Sequence, residues 1–264
     1  MKYFGIILFL IISIYSNCFS QNRTTIDTVR YRFSYAIKGN LAEESKRPYD
    51  DELSVDVGDS VTYCYSRWQD DNDKLSDKIR KSGGSANDFL AQQGPISLYD
   101  EEDIKHYPAK SKESIITFLY SYFLYEENMP SFNWNLIPGD SLILEYPCKR
   151  ASCTYHGRTW NVWYSMTIPI SEGPWKLQGL PGMILYAKDA KNQFSFECIG
   201  VKSNLNVPMT VNFKRTIKST PTKVQVLQKL QESNYDAYAK AVGIHGIHFG
   251  FKSKPRTACL KEYY

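Results

Sequence analysis

The sequence lacks the short motifs that commit a chain to a known catalytic chemistry. It contains no HExxH metalloprotease motif, no P-loop and no dinucleotide-binding glycine fingerprint. Its four histidines, at His106, His156, His245 and His248, lie outside any nucleophile elbow or cysteine-protease context. Catalytic carboxylates carry no local signature, so an enzyme stays open but is less expected than a binding protein.

Metal-ligand patterns are also sparse. His245 and His248 are three residues apart, but the glycines around them argue against a rigid helical pair, and two histidines alone do not close a zinc site. Side chains that would suit copper or zinc cluster in the middle of the chain, at Cys148, Cys153, His156 and Met166. We therefore expect neither a metal nor a cofactor, and a copper- or zinc-binding protein is kept as an alternative.

Long apolar runs and dense basic clusters are missing too. The apolar run over residues 5–15 is shorter than the about 20 residues that span a membrane, so an integral membrane protein is not expected. The formal net charge of +4 is spread along the chain, which argues against nucleic acid as a partner. Repeats and Pro/Ser-rich linkers are absent from the sequence, so residues 21–264 are expected to form a single domain.

The chain begins with the features of an export signal. Lys2 precedes the apolar run, and the small residues Cys18 and Ser20 suit cleavage after Ser20. Residues 1–20 are therefore predicted to be a cleavable signal peptide, with the mature protein beginning at Gln21 in the periplasm or outside the cell. Lipidation of Cys18 is the less favoured alternative, because the residues in front of it do not match the usual lipidation pattern.

Cysteines remain in the predicted mature chain, where an oxidising compartment would let disulfides persist. They are Cys64, Cys148, Cys153, Cys198 and Cys259. Their odd number leaves at least one thiol free or paired between chains. Cys148 and Cys153 would lie about 16 Å apart along a continuous strand, on opposite faces, so they could bond only across a turn. The pairing stays open.

Apolar and polar residues alternate along much of the chain, which is the pattern of strands with one buried face. The alternating sets are Tyr31, Phe33, Tyr35 and Ile37; Leu142, Leu144 and Tyr146; Trp160, Val162, Tyr164, Met166 and Ile168; and Phe194, Phe196 and Cys198. The 20 tyrosines, 13 phenylalanines and 5 tryptophans favour the half-buried surface of a sheet. We therefore expect mainly antiparallel strands.

Helix signals are few. Thr220 can cap a helix that starts at Pro221, and apolar residues then recur on one side, which predicts a helix over residues 221–242. A second helix is predicted around residues 73–80, and residues 88–112 are predicted to be a long loop because they combine weak periodicity with turn dipeptides. The expected fold is α+β, a mainly antiparallel curved sheet with the C-terminal helix packed against it.

Residues 134–201 carry an ordered set of motif residues. They are Trp134, Tyr146, Cys148, Ala151, Gly157, Arg158, Trp163, Tyr164, Ile168, Pro169, Gly173, Pro174, Trp175 and the hexapeptide Gly179-Leu180-Pro181-Gly182-Met183-Ile184. This set closely resembles the GLPGLI family, exported proteins typical of the Bacteroidetes. The resemblance covers roughly a third of the chain, departs from the family pattern at Met183, and implies no particular reaction.

The hexapeptide is interpreted as a structural turn made by Gly179, Leu180, Pro181 and Gly182. Pro181 and Gly182 fit the two central positions of a type II turn, where glycine accepts a positive φ. The alternative is that this loop forms the rim of a binding site together with Trp175.

Arg158 is predicted to pair with Glu172 or Asp189, because a guanidinium group readily engages carboxylates. The alternative is that it binds an anion. The candidate ligand-binding residues are Arg158, Trp163 and Trp175.

A curved sheet with inward aromatic residues and one covering helix tends to leave a concave side on which ligands bind. The expected function is therefore a non-catalytic cell-envelope protein that binds a hydrophobic or peptide ligand or an outer-membrane partner. An envelope hydrolase of unknown substrate is the alternative from a different class.

Overall fold

The computed structural model describes residues 23–40, 49–99, 101–119 and 121–233. The predicted signal peptide, His245, His248, Cys259 and the end of the predicted C-terminal helix lie outside these residues. In the described ranges, no helix is both long and apolar enough to cross a membrane.

Strands dominate the regular structure, as the alternating pattern predicts. The described strands and α-helices are β1 (Thr24–Val29), β2 (Tyr31–Gly39), β3 (Tyr49–Val57), β4 (Thr62–Ser66), α1 (Arg67–Lys81), α2 (Ala86–Gln92), β5 (Glu101–Lys105), β6 (Lys112–Phe118), β7 (Tyr122–Asn128), β8 (Asn135–Ile143), β9 (Tyr146–Tyr155), β10 (Arg158–Ser165), β11 (Met183–Asp189), β12 (Phe194–Lys202), β13 (Val207–Val211), β14 (Thr216–Lys218) and α3 (Pro221–Ser233). A 3-10 helix over Phe213–Arg215 precedes β14.

Twelve of the described strands form one sheet, in the order β14, β7, β6, β5, β4, β3, β2, β12, β11, β10, β9, β8. The pairings in this sheet are antiparallel apart from the parallel pairing of β14 with β7. Strands β1 and β13 make a separate antiparallel pair. The predicted α+β fold, a mainly antiparallel curved sheet with a C-terminal helix, is confirmed.

The inner face of the large sheet carries the main hydrophobic core. Its predicted inward residues are buried: Phe33, Tyr35 and Ile37 on β2, Trp160, Val162 and Tyr164 on β10, and Phe194, Phe196 and Cys198 on β12. Because successive side chains of a strand point to opposite faces, the residues between them lie on the outer face. Asn161 and Trp163 of β10 are half-buried there.

Both predicted helices are present. Helix α1 includes residues 73–80 and begins earlier, at Arg67, because the Ser66 side chain caps it by accepting from Gln69 N at 3.2 Å. Helix α3 begins at Pro221 as predicted, and its Val224 and Leu227 are buried against residues of β6 and β7. The described part of α3 ends at Ser233, so its predicted end is not tested.

The prediction of a long loop over residues 88–112 is wrong. This segment contains most of α2, the whole of β5 and the first residue of β6. Helix α2 is short and is stabilised by a capping box between Ser85 and Asp88. Strand β5 escaped prediction because it buries charged residues, which gives it no apolar alternation.

Two alternating sets run past the ends of their strands, and the predictions fail there. Leu144 and Glu145 form the turn between β8 and β9, with φ of 48° and 67°, and Leu142 is 70% exposed. Met166 is also exposed, because β10 ends at Ser165. Ile168 lies in the connection after β10, not on a strand.

The four cysteines in the described part of the chain, Cys64, Cys148, Cys153 and Cys198, are free and buried. Cys148 and Cys153 lie on the continuous strand β9, so no turn brings them together. Burial raises the pKa of the Cys153 thiol to about 12, which keeps it protonated and unreactive.

Candidate functional site

The connection between β10 and β11, residues 166–182, covers part of the inner face of the sheet. Trp175 in this signature loop is fully buried, with its ring 5.5 Å from that of Trp160 and 6.3 Å from that of Tyr155. The alternative that placed Trp175 on the rim of a surface site therefore does not match its position. The side chain is part of the core.

The hexapeptide needs glycine at two positions, for two different reasons. Gly179 has φ of 92°, whereas Gly182 is outside the positive-φ region, so the predicted type II turn is wrong. A Cβ on Gly182 would lie 2.5 Å from the carbonyl carbon of Ser165 and 2.8 Å from the nitrogen of Met166. Gly182 therefore allows the loop to return against the end of β10.

Gly182→Ala is expected to lower the free energy of unfolding by about 2–3 kcal/mol, because the added methyl group must displace backbone and not a flexible side chain. Denaturant unfolding measures this loss. Gly200→Ala is the matched control, since its Cβ would meet only the Cβ of Ser34, at 3.9 Å. Equal midpoints for the two variants would show that the loop does not pack against Ser165 as described.

Lys105, the last residue of β5, holds the signature loop against the sheet by hydrogen bonds. Its side chain is fully buried, and Nζ donates to Glu172 Oε2 at 2.9 Å, to the Gly173 carbonyl oxygen at 2.8 Å and to the Leu177 carbonyl oxygen at 3.2 Å. Burial is the largest single influence and opposes the charge of Lys105, but the combined attraction of Glu172, Cys64 and Glu113 outweighs it, so the pKa of Lys105 is raised. A single cation thus satisfies three acceptors of the loop.

His106 completes this contact just beyond the end of β5. Nε2 lies 2.8 Å from Glu172 Oε1, and Nδ1 lies 2.9 Å from the carbonyl oxygen of Lys110. Both neighbours are acceptors, so both ring nitrogens donate, which requires the protonated imidazolium. The hydrogen bond to Glu172 accordingly raises the pKa of His106. Burial alone would raise the pKa of Glu172, but Lys105 and His106 lower it.

Glu113 is the least satisfied acid beneath the loop. It lies opposite Lys105 on β5 and Glu127 on β7, it is fully buried, and neither carboxyl oxygen has a hydrogen-bond partner among the described residues. Burial and the nearby Asp103 raise its pKa to about 8, against the opposing effects of Lys176 and Lys105. The fold therefore favours the neutral form of Glu113.

This titration predicts a loss of stability with rising pH. The unfolded chain releases the Glu113 proton near its ordinary pKa of about 4.3, whereas the folded chain holds it to about 8, so unfolding is favoured as pH rises through this window. His106 adds a loss of the same sign as pH rises through its raised folded pKa. Melting temperatures measured from pH 5 to pH 9 should fall, and should fall less in Glu113→Gln.

Glu126→Gln, an exposed position on the next strand, is the control for the pH series. The same pH profile in Glu113→Gln and in the unmodified protein would contradict the raised pKa of Glu113.

Arg158 lies on the first position of β10 and is buried, as is its partner Asp189 at the last position of β11. Arg158 Nη1 donates to Asp189 Oδ2 at 2.5 Å and to Gln193 Oε1 at 3.0 Å, and the guanidinium lies 4.8 Å from the centre of the Phe194 ring. The predicted pairing with a carboxylate is confirmed, and Asp189 is the partner instead of Glu172.

Asp189 also organises the turn that joins β11 to β12. Its Oδ1 accepts from the backbone nitrogens of Gln193 and Phe194, both at 2.7 Å, and its Oδ2 accepts from Lys191 N at 3.1 Å. Both carboxylate oxygens of Asp189 therefore accept two hydrogen bonds each from groups of the protein itself. The opposite charges of Arg158 and Asp189 balance each other beneath the outer face of the sheet.

A shallow pocket of about 280 Å³ opens on that outer face, across β9, β10 and β11. Its lining residues are Arg150, Asn161, Trp163, Tyr186, Lys188, Asp189, Ala190 and Asn192. The strand register places Arg150, Trp163 and Tyr186 side by side in one row, and Asn161 next to Lys188 in the next row. The backbone of Gly139 on β8 runs beside the Trp163 ring. A Cβ atom added to Gly139 would lie 3.5 Å from that ring.

The structure separates the three residues predicted to bind a ligand. Trp163 lines the outer pocket. Arg158 does not line it but bonds to Asp189, which does. Trp175 lies in the core on the other side of the sheet. Ligand binding by these residues stays a prediction. Sequence reasoning missed Arg150, Tyr186 and Lys188, since polar alternation marks them only as outward residues.

The described residues contain no group of three or more histidine, cysteine, aspartate or glutamate side chains placed to hold a metal ion. Cys148 and Cys153 lie on β9, while His156 belongs to the following turn and Met166 to the turn after β10. The pair His245 and His248 lies outside the described residues.

Two comparisons relate the chain to known proteins. Residues 150–186 match a family model described as "Protein of unknown function (Porph_ging)", which covers well under half of the chain. The match includes the pocket residues Arg150, Asn161, Trp163 and Tyr186. No curated protein matches the chain significantly.

The fold resembles the solved structure of PNGF-II. The crystal form in space group P21 has a TM-score of 0.50 and 14% identity, over 76% of this chain and 33% of that one. The form in space group C2 has a TM-score of 0.48 and 14% identity, over 76% and 32%. This chain thus spans about one third of the length of the solved structures it matches, and at this identity the likeness shows the fold alone.

Proposed function

We propose that this chain is an exported, non-catalytic protein of the GLPGLI family that binds a peptide ligand in the outer pocket. The observation that carries the proposal is the pair of half-buried aromatic side chains, Trp163 and Tyr186, that lie next to each other in that pocket. Tryptophan and tyrosine offer large contact areas and lose little conformational entropy on binding. Both stand on paired strands, so the binding surface is preformed.

The size and polarity of the pocket favour a peptide over a lipid. Its volume of about 280 Å³ is near the lower limit of ligand pockets, which are commonly about 300–1,000 Å³. That volume suits one or two side chains and is small for an acyl chain. Amide and cationic groups at Asn161, Asn192, Arg150 and Lys188 surround the aromatic pair, whereas a lipid site would be lined mainly by apolar residues. An exposed segment of an outer-membrane protein is one source of such a peptide.

Family membership and export belong to the same proposal. The match at residues 150–186 falls within the motif-bearing segment 134–201, which supports the assignment to the GLPGLI family. The basic start, apolar run and small residues before Gln21 support cleavage after Ser20 and delivery to the periplasm or beyond. Intact-mass measurement of protein recovered from the cell envelope tests this. A chain that still carries residues 1–20, or an acylated Cys18, would contradict it.

Binding of arrayed random-sequence hexapeptides tests the peptide function. We expect a subset to bind the protein, and Trp163→Ala to weaken that binding by about tenfold or more, because truncation of a central aromatic contact commonly costs over 1 kcal/mol. Leu142→Ala is the control, since Leu142 is 70% exposed on the edge strand β8 and does not line the pocket. No bound peptide, or equal weakening by both substitutions, would contradict the proposal.

A further inference from the structure

We infer that the outer pocket selects peptides through a carboxylate group, an inference that rests on the peptide-binding function proposed above. Two cationic side chains line the pocket, Arg150 on β9 and Lys188 on β11. Among the described residues, neither has a hydrogen-bond or ion-pair partner. By contrast, Arg30, Arg32, Arg67 and Arg158 are each paired with a carboxylate.

The strand register lets the two cations reach one ligand group. Arg150 lies opposite Trp163, Trp163 lies opposite Tyr186, and Lys188 is two residues beyond Tyr186 on the same strand. Residues directly opposite each other share a face, as do residues two apart along a strand. Arg150 and Lys188 therefore both stand on the outer face, on strands about 10 Å apart with β10 between them. Their long side chains can close on an anion held above β10.

The acid in the lining does not cancel this charge. Asp189 is neutralised from beneath by Arg158, and its two oxygens also accept three backbone hydrogen bonds. Glu197, opposite Tyr186 on β12, is exposed to solvent and is not part of the lining. The pocket thus presents, beside an aromatic pair, two positive charges that no carboxylate of the described residues holds in an ion pair.

A carboxylate matches these groups in shape and charge. The guanidinium of Arg150 can donate two parallel hydrogen bonds to it, and the ammonium of Lys188 and the amide of Asn161 can donate to the remaining lone pairs. The aromatic pair then contacts the neighbouring side chain of the peptide. The carboxylate comes either from the C-terminus of the peptide or from an aspartate or glutamate side chain.

Three versions of one hexapeptide that binds in the array separate these sources. The first has a free C-terminus and no acidic residue, the second is amidated and has none, and the third is amidated with one glutamate. We expect the amidated neutral version to bind about tenfold more weakly than at least one of the others. Whichever version binds more tightly identifies the source of the carboxylate.

Arg150→Gln and Lys188→Gln should each weaken binding of the carboxylate peptide by about five- to tenfold and reduce its salt dependence, while leaving the amidated neutral peptide unaffected. Lys202→Gln is the control, because Lys202 is exposed on β12 outside the pocket. Thermal melts of all three variants verify that the fold is retained.

The outcomes distinguish this inference from the function on which it rests. Peptide binding could require Trp163 and yet be unchanged by amidation of the peptide and by Arg150→Gln and Lys188→Gln. That result would overturn the carboxylate inference and leave the peptide-binding function intact. If no peptide binds, the proposed function fails. Sodium acetate then serves as a second probe, with the NMR signals of the Asn161 side-chain amide as the readout. Shifts of these signals that are absent in Arg150→Gln support a carboxylate site. Unchanged signals overturn it.

Discussion

Arg158→Met is expected to lower the free energy of unfolding by about 3–5 kcal/mol, because it leaves the buried carboxylate of Asp189 without its cation. Arg158→Lys should also destabilise the protein, since an ammonium group cannot reproduce the planar guanidinium contact with Asp189, Gln193 and the face of Phe194. Denaturant unfolding of both variants measures the losses.

Two further variants test whether the loss comes from the pair itself. Arg158→Met combined with Asp189→Asn should lose less stability than the two single losses added together, because the second change removes the unpaired charge. Arg30→Met is the control for an exposed pair, and its unfolding midpoint should stay unchanged, because solvent screens the contact of Arg30 with Asp59. An unchanged midpoint in Arg158→Met would contradict the structural role and make Arg158 available to a ligand.

Lys105→Met is expected to cost about 3–5 kcal/mol of unfolding free energy and to loosen the signature loop. The substitution leaves the buried carboxylate of Glu172 with His106 as its remaining cationic partner, and it deprives the carbonyl groups of Gly173 and Leu177 of a donor. Denaturant unfolding measures the energy. Hydrogen exchange at Ile184 N, which donates to the Glu172 carbonyl oxygen, reports the loosening.

Lys112→Met is the matched control on the neighbouring strand. Among the described residues, the amine of Lys112 donates one hydrogen bond, to the side chain of Asn128 at the protein surface. Its effect should stay within about 0.5 kcal/mol. If Lys105→Met behaves like Lys112→Met, the signature loop is held by its apolar contacts and not by the buried ionic group.

The elements that the sequence predicts are those in which one face alone is apolar. Strands β2, β10 and β12 alternate because their inner faces fill the core, and α3 shows its periodicity because Val224 and Leu227 pack on the sheet. Strand β5 breaks the rule, since Lys105 and Asp103 point inward and are buried. The partner of the buried Lys105 is Glu172, a residue distant in sequence, so no local pattern predicts this burial.

The candidate site was predicted less completely than the fold. Motif residues pointed to Trp163 and Arg158, and a simple charge argument found Asp189. The role of Gly182 depends on its contact with Ser165 at the end of β10, which turn chemistry cannot reveal. Arg150, Tyr186 and Lys188 come together only through the register of three strands, because each looks like an ordinary exposed position in its own strand.

The most direct test of the account is an NMR titration of the isotope-labelled protein with a hexapeptide that binds in the array. We predict that the largest shifts fall on the indole N–H of Trp163 and on the backbone amides of Arg150, Asn161, Tyr186 and Lys188, which surround the outer pocket. Shifts concentrated in residues 166–182, or on the exposed edge strand β8, would contradict the placement of the site and with it the proposed function.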